Sequence, residues 1–122
     1  MEVGPLKRVL GVFFAATMIA LFCLCGFAAA HPPKEVALSW NPSGTLTVKV
    51  AHNVNDPLKH YIYRIVIYVN DEIKTQKDIS TQQSPEGQTE TFSLGGLPSG
   101  AKVKAEAFCV IMGSASGSIT IP

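Results

Sequence analysis

Beyond residue 30 the chain holds three histidines, His31, His52 and His60, a single cysteine, Cys109, and a single methionine, Met112, three residues after it. None of the histidines lies inside an apolar run, where a core-filling imidazole would sit. Each alone reads as a solvated loop residue, and Cys109 alone as a small buried hydrophobe. Together they read differently. Imidazole and thiolate donors suit iron, copper or zinc and argue against calcium or magnesium. Competing chemistries find little support: there is no HExxH, no GxSxG, no CxxC and no glycine-rich loop opening a helix. A Cys109–histidine nucleophile would need a third, orienting group, and the sequence names none.

The elements that must position these residues are short strands. Thr45 to Val50 alternates, with Leu46, Val48 and Val50 on one face. Tyr61 to Val69 is β-branched and aromatic on both faces, as a central strand is. Asn70-Asp71 is a hairpin turn into a strand over Glu72–Ile79. Ser80 to Gln88 is a polar loop, and Thr89–Leu94 a short strand stopped by glycines. From Ala101, the residues Val103, Ala105, Ala107 and Cys109 share one face, so parity turns Cys109 inward at the end of its strand. Ser118–Ile121 is a last strand, burying Ile119 and Ile121. No stretch longer than a turn has helical period. About seven short strands in this length predict an all-β fold, a seven-stranded immunoglobulin-like antiparallel β-sandwich or barrel. All five candidate ligands then fall at strand ends or in loops, where sandwiches carry their sites.

Residues 1–30 are a different material. Lys7 and Arg8 precede an uncharged run from Val9 to Ala30 that closes on Ala28-Ala29-Ala30. This is the pattern of a signal peptide cut after Ala30, and its length also suits an uncleaved membrane anchor. The expected organisation is a leader over 1–30 and an exported domain over 31–122, periplasmic or extracellular. Cys23 and Cys25 lie in the leader, so the exported domain cannot form an internal disulfide. That domain carries eight Lys and Arg against eight Asp and Glu. Its neutrality excludes an electrostatic footprint for nucleic acid or an anionic membrane. Contact with a membrane is expected only through an uncleaved leader.

Three stretches carry a family resemblance. They are His31-Pro32-Pro33, then His52 followed by Lys59-His60-Tyr61-Ile62, then Lys102 to Cys109 with Gly113 beyond it. In order, spacing and strand placement the domain resembles the iron-binding domain of superoxide reductases, the desulfoferrodoxin and neelaredoxin family. That family's pattern is His-x-Pro, then His-Pro-Met with His-Tyr-Ile, then Cys-Asn-x-His-Gly. The resemblance implies a seven-stranded immunoglobulin-like fold and ferrous, non-haem iron held by histidines and an axial cysteine thiolate. It implies superoxide as substrate, hydrogen peroxide as product and an external electron-donor protein. Carried over position by position, the metal ligands are His31, His52, His60 and Cys109, with the Cys109 thiolate pushing electron density toward the reacting oxygen species.

The departures are specific. Met112 stands where the family has its last histidine, and a thioether is a softer donor that prefers copper(I). The loop between His52 and His60 is longer than the family's, and Ala29-Ala30 replace its Glu-Lys. With Met112 as a fifth donor, the same residues also give the His, Cys and Met ligand list of a copper-binding or electron-transfer protein. A metal-free sandwich acting as a binding module is the third reading.

Overall fold

The computed structural model describes residues 31–122; the expected leader lies outside them. Seven strands form two antiparallel sheets, with no helix among the described residues. They are β1 (Glu35–Asn41), β2 (Thr45–Ala51), β3 (Ile62–Val69), β4 (Glu72–Asp78), β5 (Gly87–Ser93), β6 (Lys102–Cys109) and β7 (Ser114–Thr120). One sheet has the order β1-β2-β5 and the other β4-β3-β6-β7.

The core lies between the sheets. Leu46, Val48 and Val50 of β2 face Ile65 and Ile67 of β3 and Val103, Ala105 and Ala107 of β6, all essentially inaccessible to solvent. The expected alternation on β2 and β6 is what builds it. β3 is central in its sheet, between β4 and β6. Ile62 and Ile65 both point inward although three positions apart, because the pairing with β6 shifts between Ile62 and Arg64. The extra residue, Tyr63, forms a β-bulge that reverses strand parity at the end nearest the histidines. Asn70 and Asp71 both have positive φ, 49° and 67°, as a tight hairpin turn of the mirror-image type requires.

Two elements differ from the sequence reading. β1 was not placed by it, although Val36, Leu38 and Trp40 alternate and pack on the core. The last strand runs from Ser114 to Thr120 rather than from Ser118 to Ile121, with Ile119 only partly buried, and it takes in small residues before Ser118. Their size is needed there. A Cβ on Gly117 would fall on the Val36 carbonyl, so only glycine lets β7 close against β1. At the other open side, Lys77 of β4 reaches Glu90 of β5 at 2.8 Å and lies over the Phe92 ring.

Strand direction then decides where the site falls. With every pairing antiparallel, the starts of β1, β3, β5 and β7 and the ends of β2, β4 and β6 lie at one end of the sandwich. His31 precedes β1, His52 follows β2, His60 precedes β3 and Cys109 ends β6. All four arrive at the same end.

Candidate metal centre

Cys109 is the last inward residue of β6 and is 4 % exposed. Its backbone N–H donates to the Gly113 carbonyl at 3.0 Å, closing the turn after the strand, and the Val110 N–H donates to the Tyr61 carbonyl. His60 is presented by a tight turn. The Asp56 carboxylate accepts from the Leu58 N–H, and the Asp56 carbonyl accepts from the Lys59 and His60 N–H groups. This places the His60 Nε2 3.1 Å from the Cys109 Sγ.

His52 is fully buried. Its backbone N–H donates to the Glu86 carbonyl, and its Nδ1 lies 2.8 Å from Oε1 of Gln82. Its Nε2 is also buried and has no hydrogen-bond partner among the described residues. A buried polar atom left in this state costs about 1–3 kcal/mol, so such atoms are rare without a reason. His31 is exposed, with its ring centroid 5.5 Å from those of both His52 and His60, which are 4.7 Å from each other. Its Nδ1 donates to the Pro32 carbonyl at 3.2 Å, which leaves its Nε2 lone pair free. Pro32 in turn packs on the turn after Cys109: a Cβ on Gly113, whose φ is 74°, would come within 3.0 Å of the Pro32 side chain.

The structure therefore brings His52, His60 and Cys109 together, with one potential ligand atom from each lying within 4.8 Å of the others. His31 stands beside them. Met112 lies in the loop after Cys109 and is 55 % exposed, alongside exposed Val110 and Ile111. Burial pushes the His60 ring below its ordinary pKa, and repulsion from His52 and His31 adds to the shift. A neutral imidazole is the form that binds a metal ion. The His60 ring, the Cys109 sulfur and the buried His52 Nε2 lie close together, and this donor set fits a borderline-soft ion such as iron, zinc or copper. Gln82, which holds His52, was not singled out by the sequence. It sits in a polar, mostly exposed loop beside Gln83, and only its own burial in the folded chain distinguishes it.

Fold and cluster together define a small antiparallel sandwich with a histidine–cysteine centre at one end. No protein-family model matches the sequence, and no curated protein matches it. Solved structures do. The superoxide reductase (neelaredoxin) from Archaeoglobus fulgidus in the reduced form is 17 % identical, covers 77 % of this chain and 91 % of its own, with a TM-score of 0.50. A hypothetical protein from Pyrococcus horikoshii OT3 is 16 % identical, covering 75 % of this chain and 88 % of its own, also at 0.50. This chain has the β-sandwich fold found in superoxide reductases.

Proposed function

We propose that the domain binds ferrous iron through His31, His52, His60 and Cys109 and reduces superoxide to hydrogen peroxide, an external protein supplying the electron. The observation that carries this reading is the buried, unpartnered Nε2 of His52 beside the His60–Cys109 pair. Iron held by these residues would supply one-electron reduction chemistry, in which superoxide takes up one electron and two protons to give hydrogen peroxide, the electron being replaced by the external donor. The chain's own residues do the rest. The imidazoles hold the ion without neutralising its charge, and the Cys109 thiolate raises its electron density. Burial of His52 and Cys109 shields one side of the centre, while exposed His31 marks the side open to solvent. A hollow of about 430 Å³ lined by His31, Pro32, Pro33, Lys34 and Asn53 opens there. Lys34 gives it a positive charge that favours an anion.

We also propose that residues 1–30 export the domain, as their basic start, uncharged run and closing alanines suggest, so that this chemistry would take place outside the cytoplasm. The test is metal analysis of the protein from its native compartment, followed by superoxide consumption by the reduced protein. One hydrogen peroxide formed per superoxide, without oxygen release, supports the reading. Copper in place of iron would replace it with the electron-transfer reading.

A further inference from the structure

We propose that Gln82 is a positioning residue that fixes the proton of His52 on Nδ1 and so commits the buried Nε2 lone pair to a metal ion. Gln82 lies in the loop between β4 and β5, thirty positions from His52, and is 3 % exposed. Its amide is fully engaged. Nε2 donates to the carbonyl oxygens of His52 and Ser84 at 2.8 and 2.9 Å, while Oε1 takes the Ile62 N–H at 3.3 Å and faces His52 Nδ1 at 2.8 Å.

This arrangement leaves one choice of proton. Both carbonyls can only accept, so the amide nitrogen must face them and the amide oxygen must face the ring. That oxygen can only accept, so His52 Nδ1 must carry hydrogen. A neutral imidazole has one N–H, and His52 Nε2 is therefore bare. It is also buried without a hydrogen-bond partner among the described residues. Three of the Gln82 contacts brace the backbone; the fourth, to His52 Nδ1, is the one that aims a ligand, because the hydrogen bond on the far nitrogen sets ring orientation and donor strength. Gln82 also ties the end of β2 to the start of β3, the two segments that carry His52 and His60.

The inference takes His52 to be a ligand, as in the proposed function, but its first test needs no metal. Long-range proton–nitrogen NMR of the metal-free chain at pH 8 should show His52 as the Nδ1–H tautomer. Gln82→Met keeps the size and removes the acceptor; the fixed tautomer should disappear and Co2+ affinity, read from its absorption spectrum, should fall about 10–100-fold. Gln82→Glu keeps an acceptor oxygen toward the ring and should retain the tautomer and most of the affinity. A wild-type Nε2–H tautomer overturns the proposal, whether or not either variant folds. Equal loss of affinity in both variants with the tautomer unchanged also overturns it, since Gln82 would then act only as a backbone brace. Wild type that binds no Co2+ overturns the metal reading, while the tautomer comparison still decides what Gln82 does to His52.

Discussion

The Nε2 of His60 lies 3.1 Å from the Sγ of Cys109, two atoms forty-nine positions apart in sequence and joined by the pairing of β3 with β6. This thiol–imidazole contact, beside the buried His52 ring, would offer an ion one nitrogen and, once the thiol loses its proton, one thiolate donor. In the oxidised iron form it should show a sulfur-to-iron charge-transfer band. Cys109→Ser should abolish that band and leave the far-UV circular dichroism unchanged, because the residue ends its strand. An unaltered spectrum would remove Cys109 from the site.

His52→Leu separates binding from folding. The substitution is close in volume and removes both the orphaned Nε2 and the Gln82 contact, while Gln82 Oε1 keeps the Ile62 N–H. The two effects oppose each other, so stability of the metal-free protein should stay within about 1 kcal/mol of wild type. Stabilisation by added metal should vanish; for wild type it amounts to about 2.7 kcal/mol when free metal is a hundredfold above Kd. Paired denaturant titrations with and without Co2+ give both numbers. Equal metal stabilisation in the two proteins would exclude His52 as a ligand.

The placement of four candidate ligands was legible in the sequence because it depends only on strand order. His31, His52, His60 and Cys109 each border a strand, and antiparallel pairing sends those borders to one end. The inward turn of Cys109 followed from alternation with Val103, Ala105 and Ala107. β1 was harder to place: Leu38 and Trp40 are only partly buried, so its apolar face is weakly marked. The start of β7 was hidden for a different reason. Gly117 favours a loop by local propensity, and its place in a strand is set by the Val36 carbonyl of a distant segment. Gln82 was invisible because nothing local separates it from Gln83. Its role arises only where β2, β3 and the loop after β4 meet.

Acid should weaken the metal-free fold. Burial first, and the neighbouring His52 and His31 next, hold His60 below the ordinary histidine value of 6.5. The unfolded chain therefore takes up this proton more readily than the folded one. The contribution is fully present above pH 6.5 and is lost as pH falls through the lower folded value. The urea midpoint should thus decline below pH 6.5, and His60→Gln should flatten that decline. A midpoint as steeply acid-sensitive in the variant would rule out His60 as its source.

Gly113 links the His31 segment to the Cys109 turn. Its φ of 74° disfavours any side chain, and a Cβ would press on Pro32 at 3.0 Å. Gly113→Ala should cost about 1–3 kcal/mol through backbone strain. It should also lower metal affinity, because relief of the contact moves Pro32 and with it His31. Gly100→Ala supplies the control, having a similar φ of 87° with open space around it and lying at the other end of the sandwich. Equal affinity in both variants would separate His31 from the metal.

Substitution of Met112 tests which metal the site prefers. Met112 occupies the position of the last histidine in the superoxide reductase pattern, and its side chain is 55 % exposed in the loop after Cys109. Substitution there disturbs no core contact, so Met112→His should fold as wild type does. If the centre is an iron site short of one nitrogen donor, the new imidazole should tighten ferrous iron. The gain should be at least the ~10–100-fold typical of losing a hydrogen bond to a metal ligand, since a ligand itself is being supplied. Superoxide-dependent oxidation of the iron should rise with it. If the thioether serves copper(I), the same change removes the soft donor and weakens that ion. Anaerobic titration of both proteins with ferrous iron and copper(I) separates the cases by the sign of the change for each metal. Unchanged affinity for both would show that Met112 is a surface residue and that the centre is complete with three histidines and one cysteine.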